Sequence, residues 1–266
     1  MKKLFIFTLI MVIIISAVGC GSSTANKGKV DSIKEKGVLK LGTEAGYPPF
    51  EFTIIKDGNP EIVGIDIEIA KLIAKELGVE LEVVDMDFNS LLAALSVGDV
   101  DIVLAGMNPS EERRQSVDFS DIYYADKQVM LVRTADKDTL TSIDDFKGKT
   151  IGAQMGTIPA KVAEEIFKES EFQFLAEIAN LVMELKAGTI DGVVLGFPTA
   201  TAYDNAHDDI FMPDFVVGSS EEDGVAAAVA KDNKEFLDIV NKVLNTIMED
   251  GTLEKIIKDA SVEAGI

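Results

Sequence analysis

Apolar residues recur along the chain at two alternating spacings. Ile65, Ile69, Ile73 and Leu77 follow the period of an α-helix, and Gly78 comes directly after them as a stop. Short apolar runs on both sides of this stretch have the length of buried strands. The pattern predicts a helix over Ile65–Leu77 and strands at 38–42, 80–86 and 100–105. Strands that alternate with helices indicate the α/β class, with parallel pairing through right-handed crossovers.

The same alternation continues to the C-terminus. Asn89 is suited to cap a helix over 90–97 that ends at Gly98. The later pattern predicts strands at 150–153 and 225–230, a helix that begins near residue 159, and closing helices at 234–249 and 252–259.

One unit of this pattern occurs twice, at an offset of 90 residues. Each copy is a helix end, a glycine, an aspartate and a buried strand that ends at a second glycine. The matching positions are Leu95, Gly98, Asp101 and Gly106, repeated as Leu185, Gly188, Asp191 and Gly196. Any α/β protein can repeat such a unit, but the constant offset favours two similar lobes. A ligand would then bind in the crevice at the carboxyl ends of the strands.

Composition narrows the class of partner. The 266 residues are enough for one large domain or two small ones. Acidic residues number 46 against 25 Lys and Arg, which gives a formal net charge of −21. Such a surface repels phosphate backbones, so we expect no nucleic-acid partner.

The N-terminus indicates export. Two lysines follow Met1, and residues 4–18 are apolar, a run shorter than the roughly 20 residues that span a bilayer. The end of this run, Ala17 to Cys20, resembles a bacterial lipobox. We therefore expect a lipoprotein signal peptide at 1–19, a lipidated Cys20 and a flexible tether over 20–36. Cys20 is the only cysteine, so no internal disulfide can form.

Two loops at predicted strand ends are suited to an anion. In the first, Ser110 can cap a short helix, and Arg113 offers a planar fork that matches a carboxylate. The alternative is that Arg113 pairs with a neighbouring acid on the surface. In the second, Gly156, Thr157 and Ile158 precede a helix whose free N–H groups can also receive an anion.

Other residues at strand ends have less specific chemistry. Tyr47 and Phe88 can enclose an apolar or planar part of a ligand, although aromatic residues there are more often core or rim. Glu44 can receive a cation, although a solvated glutamate is the default. The single histidine, His207, lies in a polar stretch that we expect to be a surface loop. No nucleophile–base pair, phosphate loop or metal-ligand spacing is recognisable, so we expect no enzyme, cofactor or metal.

Several motifs together resemble the polar amino-acid-binding proteins of ABC importers, the bacterial extracellular solute-binding protein family 3. They are residues 42–52 (GTEAGYPPFEF), 64–67 (GIDI), 101–107 (DIVLAGM), 112–120 (ERRQSVDFS) and Tyr123-Tyr124. The resemblance runs from about residue 38 to the C-terminus.

The resemblance implies a two-lobe, periplasmic-binding-protein-like fold that closes on its ligand at a hinge. Lobe 1 would comprise 37–124 and 224–266, and lobe 2 would comprise 125–223, with crossings near 123–127 and 219–225. Arg113 would bind the ligand α-carboxylate, with N–H groups of Gly156, Thr157 and Ile158. Gly106 and Asn108 would line the amino-group side. Tyr47 and Phe88 would flank the ligand side chain, and Glu44 would face a basic one.

The implied partners are an amino acid, polar or basic, an ABC permease with its ATPase, and the outer face of the cell membrane. We expect a monomer. One position departs from the family, because Gly196 stands where members usually carry an acid that holds the ligand ammonium. Two alternatives use the same fold: a sensor or adhesin, and a cyclohexadienyl dehydratase-like enzyme with Glu44 or Glu51 as its acid.

Overall fold

A computed structural model describes residues 28–218 and 224–266 of the chain. The predicted signal peptide, Cys20 and part of the second crossing lie outside the described residues. Every helix in the described part is too short or too polar to cross a membrane.

Helices and strands alternate along most of the chain. The α-helices are α1 Lys29–Lys36, α2 Ile65–Leu77, α3 Phe88–Val97, α4 Glu111–Arg114, α5 Ile158–Ile166, α6 Ile178–Ala187, α7 Phe197–Ala206, α8 Lys234–Glu249 and α9 Thr252–Glu263. The strands are β1 Val38–Thr43, β2 Gly46–Tyr47, β3 Glu51–Lys56, β4 Asn59–Val63, β5 Glu80–Asp85, β6 Ile102–Val103, β7 Val117–Phe119, β8 Gln128–Arg133, β9 Thr150–Gln154, β10 Glu171–Leu175, β11 Gly192–Gly196, β12 Ile210–Phe211, β13 Val216–Gly218 and β14 Ala228–Ala230. Two 3₁₀ helices occur at Thr134–Asp136 and Ile143–Phe146.

The strands form two main sheets, and we call the part of the chain built on each sheet a lobe. The first lobe has the strand order β5-β1-β6-β14-β7, and β2-β3-β4 form a separate antiparallel hairpin sheet beside it. The second lobe has the order β10-β9-β11-β8-β12, with β13 also on β8. In each, three strands are parallel, and the next strand, β14 or β8, is antiparallel. This is the two-lobe α/β architecture that the sequence indicates.

The repeated aspartate has the same structural role in both lobes. Asp101 donates its N–H to the carbonyl of Lys40 (2.8 Å), and its Oδ2 accepts from the Lys40 N–H (3.0 Å). Asp191 repeats both hydrogen bonds with Thr150, at 2.7 and 3.0 Å. The aspartate therefore joins the start of one parallel strand to its neighbour.

The predicted tether is wrong for residues 29–36, which form α1. Val30 and Ile33 of this helix are buried in the core of the first lobe, and Lys29 pairs with the buried Asp101 at 2.6 Å. Two apolar residues three apart bury one face of a helix, which a flexible linker would leave in solvent.

Several predicted boundaries shift. The helix predicted at 90–97 begins at Phe88 with Asp87 as its cap, so Asn89 lies inside it. The strand predicted at 100–105 is paired as a strand only at Ile102–Val103. The polar stretch before His207 is the last turn of α7 and not a loop.

The crossing segments between the lobes contact each other in the described part. Val225 donates its N–H to the carbonyl of Tyr124 (2.8 Å), and its own carbonyl accepts from the N–H of Tyr123 (3.0 Å). The two chain segments therefore lie side by side at Tyr123, Tyr124 and Val225.

Candidate functional site

A narrow cleft separates the lobes at the carboxyl ends of β1, β6, β9 and β11. It encloses a cavity of about 20 Å³, which is room for little more than one water molecule. Residues of both lobes line it: Glu44, Tyr47, Phe88, Ala105, Gly106, Asn108, Gln154, Thr157, Pro159, Ile178 and Leu195.

Six of the nine ligand-binding residues predicted from the sequence line this cavity. The other three lie beside it. Arg113 and Gly156 contact each other across the cleft, and Ile158 is the first residue of α5. The geometry therefore brings all nine predicted residues into one region.

Glu44 follows β1 and is buried, with 8% of its surface exposed. Its Oε2 accepts a hydrogen bond from Gln154 Nε2 of the second lobe at 3.1 Å. Burial raises the pKa of Glu44 to about 7, and the nearby carboxylates Asp85, Asp87 and Glu177 add to this rise. Among the described residues, none of these four acids forms an ion pair with a lysine or arginine.

A second pocket of about 330 Å³ continues from Glu44 to the surface, and its lining includes these three other acids. The carboxylates lie at the start of α3, at the start of α6 and at the end of β5. A positively charged group that enters here meets negative potential from both lobes.

Arg113 lies at another part of the cleft. Its Nη1 donates to the Asn108 carbonyl (2.8 Å), and its Nη2 donates to the Gly156 carbonyl of the second lobe (3.0 Å). The guanidinium also stacks over the Phe88 ring at 5.1 Å. Burial lowers the pKa of Arg113 to about 10, so the group stays charged at neutral pH.

The surface ion pair considered for Arg113 does not form among the described residues. Glu112 instead pairs with Lys161 of the second lobe at 2.7 Å, and Asp118 pairs with Lys231 at 2.8 Å. Ser110 caps α4 as predicted, because its Oγ accepts from the Arg113 N–H (3.4 Å).

Thr157 begins α5 and holds the loop before it. Its hydroxyl donates to the Gln154 carbonyl (2.7 Å) and accepts from the Ala160 N–H (3.4 Å). Gly156 has a φ of +76°, and a Cβ there would meet Asn89 of the first lobe. Glycine is therefore required both by the backbone and by the close approach of the lobes.

Beside the cleft, the buried acid Asp66 binds Gly106, and a second buried acid, Glu51, lies near Asp66. The Gly106 N–H donates to Asp66 Oδ2 (2.8 Å), and Tyr123 donates its hydroxyl to Asp66 Oδ1 (2.6 Å). Glu51 is also fully buried, and neither of its carboxyl oxygens has a hydrogen-bond partner among the described residues. Burial raises the pKa of Asp66 to about 6 and that of Glu51 well above its usual range. The nearby charge of Asp66 adds to the effect of burial on Glu51, so the ionised form of Glu51 is strongly disfavoured.

Tyr47 spans the cleft. Its ring lies against Gly106 of the first lobe, and its hydroxyl lies against Gly196 of the second lobe, where Asp126 Oδ2 also lies. A Cβ at either glycine would collide with Tyr47. The two glycines that end the repeated unit therefore make room for one aromatic side chain.

Sequence reasoning missed several residues of the site. Gln154 is not among the residues predicted to bind a ligand, although it is the hydrogen-bond partner of Glu44. Asp66 and Asp126 were not considered, because they are distant in sequence from the residues that they contact. The available indication was position, since Asp126 lies within the predicted first crossing and Asp66 is the second residue of α2.

Comparison with known proteins agrees with this geometry. The profile of the bacterial extracellular solute-binding proteins, family 3, matches residues 39–260. The arginine-binding extracellular protein ArtP of Bacillus subtilis (strain 168) is 40% identical over 266 residues, covering 97% of each chain. The arginine-bound substrate-binding protein AbpA of Streptococcus pneumoniae Canada MDR_19A superposes with a TM-score of 0.85 at 35% identity, covering 89% of this chain and 99% of that one.

A third similar structure is the ancestral amino-acid-binding protein AncCDT-1, described as a precursor of cyclohexadienyl dehydratase. It has a TM-score of 0.79 and 32% identity, and covers 87% of this chain and 99% of that one.

The fold and cleft define a two-lobe solute-binding protein of the kind that serves ABC transporters. The chain belongs to the bacterial extracellular solute-binding proteins, family 3. Of the relatives described above, ArtP is named an arginine-binding protein, and AbpA is a substrate-binding protein of an amino acid ABC transporter.

Proposed function

We propose that this protein is an extracytoplasmic lipoprotein that captures L-arginine, or a closely similar basic amino acid, for an ABC importer. The observation that carries this proposal is Glu44, a buried carboxylate in the cleft beside three other acids. An ionised carboxylate in this position is unfavourable until a cation pairs with it. A ligand with a guanidinium or ammonium side chain supplies that cation.

The α-carboxylate of the ligand binds at Arg113. In the structure this guanidinium donates to two backbone carbonyls, of Asn108 and Gly156. A carboxylate is a stronger acceptor than a carbonyl and matches the planar fork with both oxygens. N–H groups at the start of α5, at Thr157 and Ile158, add donors from the second lobe.

Capture works by closure of the lobes. Hydrogen bonds across the cleft join Glu44 to Gln154 and Arg113 to Gly156, and the enclosed cavity is smaller than an amino acid. The lobes therefore open to admit a ligand. We propose lobe 1 as residues 37–124 and 224–266 and lobe 2 as 125–223, with the hinge in the two crossings. A ligand that contacts both lobes shifts the population toward the closed form.

The remaining parts of the proposal concern the cellular location of the protein and its transport partners. A signal peptide at 1–19 directs export, and acylated Cys20 anchors the monomer to the outer face of the membrane. The closed lobes then deliver the amino acid to a permease and its ATPase. A sensor or adhesin would bind the same ligand but would not need these transport partners.

One observation supports an enzyme as the second candidate. The raised pKa of Glu44 is of the kind that a general acid needs, and AncCDT-1 is described as a dehydratase precursor. Incubation with cyclohexadienyl acids tests this candidate. We expect no product by ultraviolet absorbance, and turnover that Glu44→Gln abolishes would establish catalysis instead.

Calorimetric titration of the purified protein tests the proposed ligand. We expect L-arginine, L-lysine or L-ornithine to bind more tightly than L-glutamine, L-histidine or L-cystine. Glu44→Gln should weaken arginine binding by about 10- to 100-fold, since a hydrogen-bonded charge is lost. The matched control is Glu80→Gln, which removes the same charge from an exposed site on β5. Absence of heat with every basic amino acid would refute the proposed ligand.

A further inference from the structure

An amino acid enclosed between the lobes brings an α-ammonium group as well as its carboxylate. A cation that is buried without a partner is strongly unfavourable, so the cleft needs an anion at that point. In the proposed function, Arg113 takes the carboxylate and Glu44 takes the side-chain cation. The α-ammonium therefore requires a third group with a negative charge.

Two other acids of the first lobe are unsuitable for this role. Asp66 is fully buried, and its two oxygens already accept hydrogen bonds from Tyr123 and from the Gly106 N–H. Glu51 is also fully buried, and burial raises its pKa well above the usual range of a glutamate. Neither acid lines the cavity.

Asp126 lies on the other wall, in the first crossing segment. Its Oδ1 accepts from its neighbour Lys127 N–H (2.7 Å) and from the Phe197 N–H at the start of α7 (3.2 Å). These contacts fix the carboxylate, and its Oδ2 lies against the α-carbon of Gly196 beside the Tyr47 hydroxyl. Leu195, the residue before this glycine, lines the cavity.

A glycine stands at position 196 because a side chain would not fit there, and not because the backbone conformation requires glycine. Gly196 has φ −63° and ψ 144°, which any residue adopts. A Cβ there would instead collide with both Asp126 Oδ2 and the Tyr47 hydroxyl. Gly196 therefore opens the end of β11 to a carboxylate that comes from the neighbouring crossing segment.

We propose that Asp126 accepts the α-ammonium of the ligand, through Oδ2, at the end of β11. This inference rests on the proposed function. Opening of the lobes separates Gly106 from Gly196 and releases the Tyr47 ring that lies between them. The ligand's ammonium group then occupies this space when the lobes close again, with Asp126 on one side.

The test combines one substitution with one change in the ligand. 5-Guanidinopentanoic acid is arginine without its α-amino group, so it does not need Asp126. In Asp126→Asn, the amide oxygen can keep the two N–H contacts of Oδ1, while an NH₂ group replaces the acceptor Oδ2. We expect its Kd for L-arginine to rise about 30- to 100-fold and its Kd for 5-guanidinopentanoic acid to change less than about threefold.

The control is Asp121→Asn, which makes the same charge change at an exposed position away from the cleft. It should bind both ligands as the wild type does. Equal weakening of both ligands in Asp126→Asn, or no weakening of arginine, would overturn the assignment of Asp126. Failure of the wild type to bind any basic amino acid would refute the proposed function, and this inference with it.

A second variant keeps the inference testable if Asp126→Asn fails to fold by circular dichroism. Gly196→Ala adds the Cβ that pushes Oδ2 away from the cleft wall. We expect the same selective weakening of arginine relative to 5-guanidinopentanoic acid. Equal loss of both ligands, or no loss, would again overturn the proposal.

Discussion

Acidification should weaken arginine binding through Glu44. Burial raises the pKa of this carboxyl to about 7, so the ligand-free protein at pH 6 holds Glu44 mostly protonated. A bound guanidinium pairs only with the ionised form. Binding must therefore release a proton below pH 7, and the affinity must fall as the pH falls.

The size of the effect follows from the pKa. At pH 8 Glu44 is already ionised, and binding needs almost no proton release. At pH 5.5 only about 3% of the protein has Glu44 ionised, so the Kd should be about 30-fold higher than at pH 8. At pH 6.5 each bound arginine should release about three-quarters of a proton.

Calorimetry measures both quantities. Titrations with L-arginine at pH 8, 6.5 and 5.5 give the Kd series. At pH 6.5, buffers with different ionisation enthalpies give the number of protons released. The α-carboxylate and guanidinium of free arginine do not titrate in this range, so the protein is the source of the effect.

Glu44→Gln is the matched variant, because its amide mimics the protonated acid and does not titrate. It should bind arginine weakly, and to the same extent at all three pH values. A Kd of the wild type that does not change between pH 8 and 5.5 would refute the reasoning. If the Kd of Glu44→Gln still changes with pH, another group causes the pH dependence. Asp66, with a pKa of about 6, is the first candidate.

Other predictions follow from the same contacts. Arg113→Lys should weaken arginine binding by about 10- to 100-fold in a titration without lowering the thermal midpoint, because an ammonium cannot replace the two-nitrogen fork. Urea unfolding should show Glu51→Gln close to wild type, since an amide resembles the protonated acid, and Asp66→Asn destabilised by about 1–3 kcal/mol, since a buried donor loses its acceptor. The reverse ranking would mean that Asp66, and not Glu51, is the acid whose ionised form is more strongly disfavoured. The pKa values of Glu44 and Asp66 are raised in the folded state, so the ligand-free protein binds more protons when it is folded than when it is unfolded. Its free energy of unfolding should therefore rise by about 1–2 kcal/mol from pH 8 to pH 6. A fall over that range would contradict the sign of both pKa shifts.

Much of the fold is readable from the sequence because local patterns determine it. Helix α2 has the predicted bounds, since its apolar repeat and the following glycine agree. The offset of 90 residues predicts two similar lobes, and the matching contacts of Asp101 and Asp191 give its physical reason. Helix α1 was missed because only two of its eight residues are buried.

The site is readable only in part. Strand ends and loops can be located from the sequence pattern alone. Glu44, Arg113 and Thr157 could therefore be assigned to one predicted site. Contacts between residues far apart in sequence leave no local pattern. The bond from Gln154 to Glu44 joins residues 110 positions apart, and the contact of Asp126 with Phe197 joins residues 71 apart.

Under the proposed function, the electrostatics of the cleft couple ligand binding to closure of the lobes. Closing the lobes without a ligand buries Glu44 near three other acids, which favours its protonated form. Closing them on a cation instead stabilises the ionised form, so the ligand binds the closed state better than the open one. In this proposal, protons and arginine compete for the same closed cleft. Lowering the pH from 8 to 6 should therefore raise the free energy of unfolding of the ligand-free protein and lower its affinity for arginine. General acid denaturation would lower both quantities, so the two measurements distinguish the mechanisms.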